Sequence, residues 1–195
     1  MGGVCAIIER LNQLHIVPLA ISYEYDPCDY LKAREYQLRR DLPYWKKTAE
    51  DDLESMLVGI KGYKGHIFYK CAPCIDEWLD TVDEELPKNK LFDTIAAHID
   101  HQIHSNYKLY PINYVALDMI QDTRVYEEYY TVEDYQNFNT YLDGQIEKID
   151  IENRDDKFLR TCLLTQYAYP AKNYIAASSE SGRFKSLLNR LTFKK

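Results

Sequence analysis

The sequence lacks several features that would place it in well-known classes of protein. No apolar run approaches the roughly 20 residues of a membrane-spanning helix. Nothing at the start resembles a signal peptide, and Ala6 occupies the position where the myristoylation pattern requires Ser or Thr. We therefore expect a cytoplasmic protein.

The chain also has fewer basic than acidic residues. The formal net charge is -7, and the chain has 31 acidic against 24 basic residues. Nucleic-acid binding needs a concentrated basic surface that neutralises phosphates, so we predict no nucleic-acid partner. Five cysteines, an odd number in a chain without a leader, predict reduced thiols.

Two patterns resemble metal or redox sites. His98, His101 and His104 crowd one predicted helix, on the face opposite its apolar stripe, where solvated residues belong. Cys71 and Cys74 have the C-x-x-C spacing of redox dithiols, but one isolated pair is weak evidence. We predict no metal site and no redox function.

The segment Ile16–Tyr23, which begins with the apolar run Ile16 to Ile21, reads as a strand, and 65–71 as a second one. Because the first run has no polar alternation, we expect both of its faces to be covered. Two strands alone do not make a stable sheet, so partner strands are also expected. Helices are predicted at 4–14, 27–40, 47–60, from Pro87 to about 107, and near 131–148 and 154–168.

In the helix after Pro87, Leu91, Ile95 and Ile99 recur every four residues on one apolar face, and Tyr110–Tyr114, which contains Pro111, is expected to break it. Thr131 to Asp134 resembles a capping box, and the last of these helices is expected to end before Pro170.

The first strand ends in a carboxylate-rich turn. Asp26 suits the N-cap of the next helix, Pro27 its first position, and Asp29 a second carboxylate near its unpaired N–H groups. We read Asp26 and Asp29 as capping residues. Ser22 and Glu24 lie at the carboxyl end of the strand, where α/β enzymes place substrates.

Two stretches resemble the glycerolipid acyltransferases, which acylate glycerol phosphate and lysophosphatidic acid. The stretch Ile16–Asp29 resembles the last of the family's four motif blocks, and its Tyr-Glu-Tyr-Asp-Pro-Cys-Asp ending resembles a bacterial branch related to 1-acylglycerol-3-phosphate acyltransferase. Gly62–Lys70 resembles the strand that follows this block. The resemblance implies an α/β fold, here a partial sheet covered by helices with a mainly helical C-terminal extension.

The catalytic H-x-x-x-x-D motif of that family is absent. The residues five positions after the histidines are Ala20, Cys71, Ile103, Asn106 and Leu109. We therefore expect the chain to be the C-terminal part of a longer enzyme and to be inactive alone. Its expected divisions are 1–110 (acyltransferase-like α/β part), 111–177 (helical extension) and 178–195 (linker and basic amphipathic tail).

The resemblance implies acyl transfer from acyl-CoA or acyl carrier protein to a glycerophosphate hydroxyl, with no metal or organic cofactor. It also implies that one strand end lines or buttresses a glycerophosphate or acyl pocket, through Val17, Pro18, Ser22, Tyr23 and Glu24. The alternative is a noncatalytic helical protein-binding module in which this strand is only core.

The tail combines basic and apolar residues. After Ser178–Gly182, which reads as a linker, no acid occurs. One helical face of the tail carries the apolar residues Phe184, Leu187, Leu188 and Leu191. A basic helix of this kind can lie on an anionic lipid surface, which predicts a peripheral location on the inner face of the cell membrane. A docked helix or a disordered terminus is the alternative. The basic residues are Arg183, Lys185, Arg190, Lys194 and Lys195.

Overall fold

The computed structural model describes the backbone of residues 4–192 and the side chains of residues 4–179. Its helices and strands follow one another along the chain as α1 (Val4–Asn12), β1 (Leu19–Tyr23), α2 (Asp29–Asp41), α3 (Ala49–Lys61), β2 (Ile67–Cys71), α4 (Asp76–Leu79), α5 (Lys88–Ser105), α6 (Pro111–Gln121), a 3₁₀ turn (Glu127–Tyr129), α7 (Val132–Glu147) and α8 (Asp156–Thr192). The protein is therefore mostly helical, with a small antiparallel sheet of two strands. This is compatible with a helix-rich α/β fold.

The chain divides into two compact units. The first contains the residues up to Ser22, Phe68–Lys108 and the residues from Asn173 onward. The second contains Tyr23–Ile67 and Leu109–Lys172. The predicted division at residues 110 and 177 stays a prediction.

The core of the first unit is built from α1, α4 and α5. Its buried members are Val4 and Ile8 of α1, Ile75 and Leu79 in and before α4, and Leu91 and Ile95 of α5. The four-residue apolar spacing predicted for α5 is confirmed, since Leu91 and Ile95 are buried and Ile99 packs against them. Burial of these stripes away from water is what holds the unit together.

The second unit has its core on α6, α7 and α8. Its fully buried side chains include Val115, Phe138, Leu142, Leu159 and Leu163. Gln37 of α2 is buried too, and its amide nitrogen donates to the carbonyl of Asn153 (2.9 Å). The backbone N–H of Asp155 donates to the Gln37 amide oxygen (3.1 Å), so both ends of this buried amide are satisfied.

The sheet differs from the prediction. β1 alternates, with Ala20 and Ser22 buried and Leu19, Ile21 and Tyr23 exposed, and every residue of β2 is exposed. The expectation that helices cover both faces was therefore wrong. The apolar run misled because its first three residues, Ile16 to Pro18, precede the strand. Within residues 4–192 no third strand joins the pair.

Two helices depart from the prediction at proline residues. α6 was missed because Pro111 was read as a breaker, whereas proline is favoured in the first turn of a helix. α8 continues through Pro170 and through Ser178–Gly182, where a linker was expected. Buried residues on both sides of Pro170, among them Ala168 and Ala171, offset the one backbone hydrogen bond that proline cannot make.

The predicted membrane contact concerns residues that are not described. The side chains of Arg183, Lys185 and Arg190 lie outside the described side chains, and Lys194 and Lys195 lie outside the described residues altogether. Surface contact by the tail thus stays a prediction. Between Val4 and Thr192, no helix combines the length and the apolar character that crossing a membrane requires.

Candidate functional site

The five residues predicted for the site fall in both units. Val17, Pro18 and Ser22 belong to the first unit, and Tyr23 and Glu24 to the second. Val17 is exposed, and the carbonyl of Pro18 accepts from the backbone N–H of Ala72 (2.8 Å).

Ser22 has a structural contact. Its side chain is buried, and its hydroxyl oxygen accepts from the backbone N–H of Lys108 (2.9 Å). This hydrogen bond joins β1 to the segment that follows α5, so the Ser22 hydroxyl has a structural role.

Glu24 is brought against His66, a contact that the sequence did not indicate. Its Oε2 accepts from the backbone N–H of His66 (2.9 Å) and lies 2.6 Å from the ring Nδ1. The Glu24 side chain is 18% exposed, whereas that of His66 is 85% exposed. In the part of the chain that is described, no hydrogen bond reaches the other ring nitrogen, Nε2.

This arrangement has a definite chemical capacity. A carboxylate beside Nδ1 fixes the orientation and tautomer of an imidazole, which leaves Nε2 to accept or donate a proton. The two residues come from the two stretches that carry the resemblance. Their backbones also pair, since the Glu24 N–H donates to the His66 carbonyl (2.9 Å).

Gly65 makes room for this contact. It has a positive φ of 62°, and a Cβ at this position would lie 2.5 Å from Oε2 of Glu24 and 2.9 Å from its Cβ. A side chain would therefore be strained and would also displace the carboxylate.

A cavity of about 260 Å³ lies in the second unit, beside the turn that follows β1. Of the five predicted residues, only Tyr23 lines it. The other lining residues come from the turn, from α2 and α3, and from the segments that follow these helices; they include Asp26, Cys28, Lys32, Arg34, Trp45, Lys47, Asp51, Ser55 and Lys64.

The basic side chains of this cavity are already engaged. Lys32 pairs with Asp26, Arg34 with Asp51 (3.3 Å) and Lys47 with Asp52 (3.0 Å). Lys64 donates to the carbonyls of Ile60 (3.2 Å) and Gly62 (3.0 Å). An anionic ligand would have to replace these acceptors.

Cys28 offers little reactivity in the same cavity. Its thiol donates to the carbonyl of Ser55 (3.3 Å), and burial raises its pKa. Because the thiolate is the nucleophilic form, this cysteine is a packing residue at neutral pH.

The turn residues differ in their contacts. The prediction that Asp26 is the N-cap and Pro27 the first residue of the next helix was wrong, because α2 begins at Asp29 and its N-cap is Cys28, whose side chain makes no capping hydrogen bond with the described residues. The Asp26 Oδ1 instead accepts from the backbone N–H of Cys28 (2.9 Å), within the turn before the helix. Asp29 begins α2 and is fully buried, and its Oδ2 lies 2.6 Å from the hydroxyls of both Tyr141 and Tyr167. Reading Asp29 as only a cap was therefore incomplete.

The Asp29 cluster joins α2, α7 and α8 within the second unit. The Tyr167 hydroxyl also accepts from the backbone N–H of Asp26 (3.1 Å). Burial raises the pKa of Asp29, and burial beside Asp29 raises the pKa of both tyrosines. No signal in the sequence could have found this cluster, because Asp29 lies more than 100 residues from each of the two tyrosines.

The histidines of α5 pack against neighbouring side chains. The His98 ring stacks on Trp78 with ring centroids 3.7 Å apart, and burial lowers its pKa. His104 Nε2 lies 3.4 Å from the side-chain nitrogen of Asn173. Among the side chains of residues 4–179, three metal-ligating atoms converge only at His15, Cys74 and Asp76.

Comparison with known proteins gave no assignment: no family model, curated protein or solved structure matches the chain.

Proposed function

We propose that this chain is part of a glycerolipid acyltransferase and contributes the acceptor side of its active site. Support comes from the resemblance of Ile16–Asp29 and Gly62–Lys70 to that family. The observation that carries the proposal is the contact between Glu24 and His66, which joins these two stretches at side chains suited to polar recognition.

In this proposal His66 contacts the acceptor glycerophosphate and Glu24 positions the imidazole. The catalytic His and Asp come from an H-x-x-x-x-D segment outside the 195 residues. That histidine deprotonates the acceptor hydroxyl, which attacks the thioester carbonyl of acyl-CoA or acyl carrier protein and releases the thiol. No metal or organic cofactor is needed, and the enzyme works from the cytoplasm at the inner face of the membrane.

The exposed sheet also supports a larger protein. In the first unit, Leu19 and Ile21 of β1 and Phe68 and Tyr69 of β2 are large apolar side chains left exposed. An isolated pair of strands is marginally stable in water, and apolar sheet surface is normally covered. Further strands or helices of the same enzyme would cover it.

The test is acyl transfer by a longer protein that includes the upstream reading frame. Glu24→Gln and His66→Gln should each raise the KM for the acceptor by about 10–100-fold, the effect of losing a hydrogen bond to a charged group. The KM for the acyl donor should stay unchanged. Glu50→Gln and His101→Gln, which change the same residue types elsewhere, should leave both constants unchanged.

Unchanged acceptor KM in both site variants would remove this pair from the site. A reading frame that stops directly before Met1, with no H-x-x-x-x-D segment, would contradict the enzyme itself.

A second candidate is a noncatalytic helical protein-binding module. It is favoured by α3, which buries none of its residues and exposes Leu53, Met56 and Ile60. A protein partner would cover these side chains. Absence of acyl transfer with either donor would favour this candidate.

A further inference from the structure

Three side chains of different chemistry meet in the first unit. They are His15, after α1, Cys74, after β2, and Asp76, the first residue of α4. One ligand atom from each lies within 4.8 Å of the others, and His15 Nδ1 lies 2.6 Å from Asp76 Oδ2.

Backbone contacts hold the three residues in place. The N–H of Ile75 donates to the carbonyl of Ile16 (3.0 Å), which pins the two segments together beside the cluster. The side-chain amide of Asn12 donates to Asp80 (2.9 Å) and joins the end of α1 to the end of α4. The cluster is therefore pre-organised by hydrogen bonds that do not involve its own ligand atoms.

Asp76 carries an unsatisfied oxygen. Its Oδ1 is buried and has no hydrogen-bond partner among the described residues. Buried carboxylate oxygens are normally paired with a donor or a cation, because an unpaired one has lost its hydrogen bonds to water without replacement. The unpaired Oδ1 adds to the case for a cation at this cluster, where the Asp76 carboxylate also makes hydrogen bonds with His15 and Cys74.

We propose that His15, Cys74 and Asp76 form a binding site for a zinc-like divalent ion. A thiolate, an imidazole and a carboxylate are the ligand types that zinc takes in proteins, whereas magnesium and calcium prefer oxygen ligands alone.

The His15–Asp76 contact requires only a small adjustment to bind a metal ion. Tetrahedral ligation with metal–ligand distances of about 2.0–2.3 Å places the ligand atoms roughly 3.3–3.8 Å apart. His15 Nδ1 and Asp76 Oδ2 must then separate by under about 1 Å from their hydrogen-bonded distance. The thiol releases its proton on binding, the neutral imidazole binds through Nδ1 with its ring proton on Nε2, and the fourth position is left to water or to a ligand. The site is independent of acyl transfer, which needs no metal.

The experiment uses the full chain, freed of metal by a chelator, and titrates it with Co²⁺ and then Zn²⁺. Co²⁺ should give a thiolate-to-cobalt charge-transfer band that Zn²⁺ removes. Cys74→Ser should abolish the band. His15→Gln should weaken Zn²⁺ binding at least tenfold in a competition with a chromogenic chelator, since losing an outer hydrogen bond alone costs about 10–100-fold.

Two controls keep the assignment specific. Cys71→Ser changes the other cysteine of the C-x-x-C pair, and His101→Gln changes a histidine of α5; both should retain the band and the affinity. The His15 side chain is 76% exposed, so its replacement leaves the fold intact, which circular dichroism would check. The proposal would be overturned if the charge-transfer band is absent, if it persists in Cys74→Ser, or if it is lost in Cys71→Ser. A loss of Zn²⁺ affinity smaller than tenfold in His15→Gln would overturn it too.

Discussion

At the scale of single residues, the second unit depends on a buried carboxylate. Asp29 is fully buried and accepts from its neighbour's backbone N–H (2.6 Å) while two phenol hydroxyls lie against its Oδ2. These hydrogen bonds favour the charged form, but loss of water disfavours it more, and the pKa rises above its ordinary value of 3.8. A carboxyl with a raised pKa binds its proton more tightly in the folded protein than in the unfolded chain.

This shift predicts how stability depends on pH. Because the folded protein holds this proton more tightly than the unfolded chain does, lowering the pH through the folded-state pKa towards the ordinary value adds stability. The free energy of unfolding, measured in urea from pH 7 to pH 4, should therefore rise in the wild type relative to Asp29→Asn. The other titrating groups contribute equally to both proteins, so the comparison with Asp29→Asn removes their effect. The raised pKa would be contradicted if the difference in unfolding free energy between the two proteins stays constant from pH 7 to pH 4, or if it shifts in favour of Asp29→Asn.

Gly65 allows a second prediction at this scale. Gly65→Ala should lower the free energy of unfolding by about 1–2 kcal/mol, because an alanine is strained at positive φ and meets the Glu24 carboxylate. Gly144→Ala is the matched control. It lies inside α7 with nothing within 4 Å of the added methyl group, so it should raise stability by about 0.5–1 kcal/mol. Equal effects of the two variants would show that Gly65 is not needed at its turn.

At the scale of elements, capping is where local sequence was informative. Thr131 and Asp134 were predicted as a capping box, and the prediction is confirmed: the Thr131 hydroxyl oxygen accepts from the Asp134 N–H (3.0 Å), and the Asp134 carboxylate accepts from the Thr131 N–H (2.8 Å). Thr48 and Asp51 form the same box at α3. Such boxes work locally, so neighbouring residues suffice to predict them.

Replacement of the cap should have a measurable cost. Thr131→Ala should lower the free energy of unfolding by about 1 kcal/mol, since the Asp134 N–H loses the hydroxyl oxygen that accepts its hydrogen bond. Thr140→Ala, an exposed threonine inside the same helix, should change it by less than about 0.7 kcal/mol, in the stabilising direction. Urea denaturation compares the two. A Thr131 effect no larger than that of Thr140 would show that the box contributes nothing.

Two prolines were both read as helix ends, for different reasons. Pro111 was a misread local signal, because proline is favoured in the first turn of a helix and α6 begins there. α8 passes through Pro170, and whether a helix continues through an interior proline depends on what its neighbouring turns bury, which is not a local property. The partners of Asp29 and Glu24 were missed for the same reason.

At the scale of the whole molecule, the helical character and the two strand positions could be predicted, because periodicity and turn residues carry them. Whether the faces of the sheet are covered could not be predicted from the sequence. β2 is exposed throughout, although its sequence Ile67–Cys71 has the apolar and β-branched content of a covered strand. Whether such a strand is buried depends on elements elsewhere, and in the proposed enzyme these come from outside the 195 residues.

The measurement that tests the central claim most directly is transfer of a radiolabelled acyl group to lysophosphatidic acid and other glycerol acceptors. It compares this chain with the upstream-extended protein, using both acyl-CoA and acyl carrier protein as donors. The acyltransferase proposal predicts labelled product with the longer protein and none with the 195 residues alone. No product from either protein with either donor would contradict it.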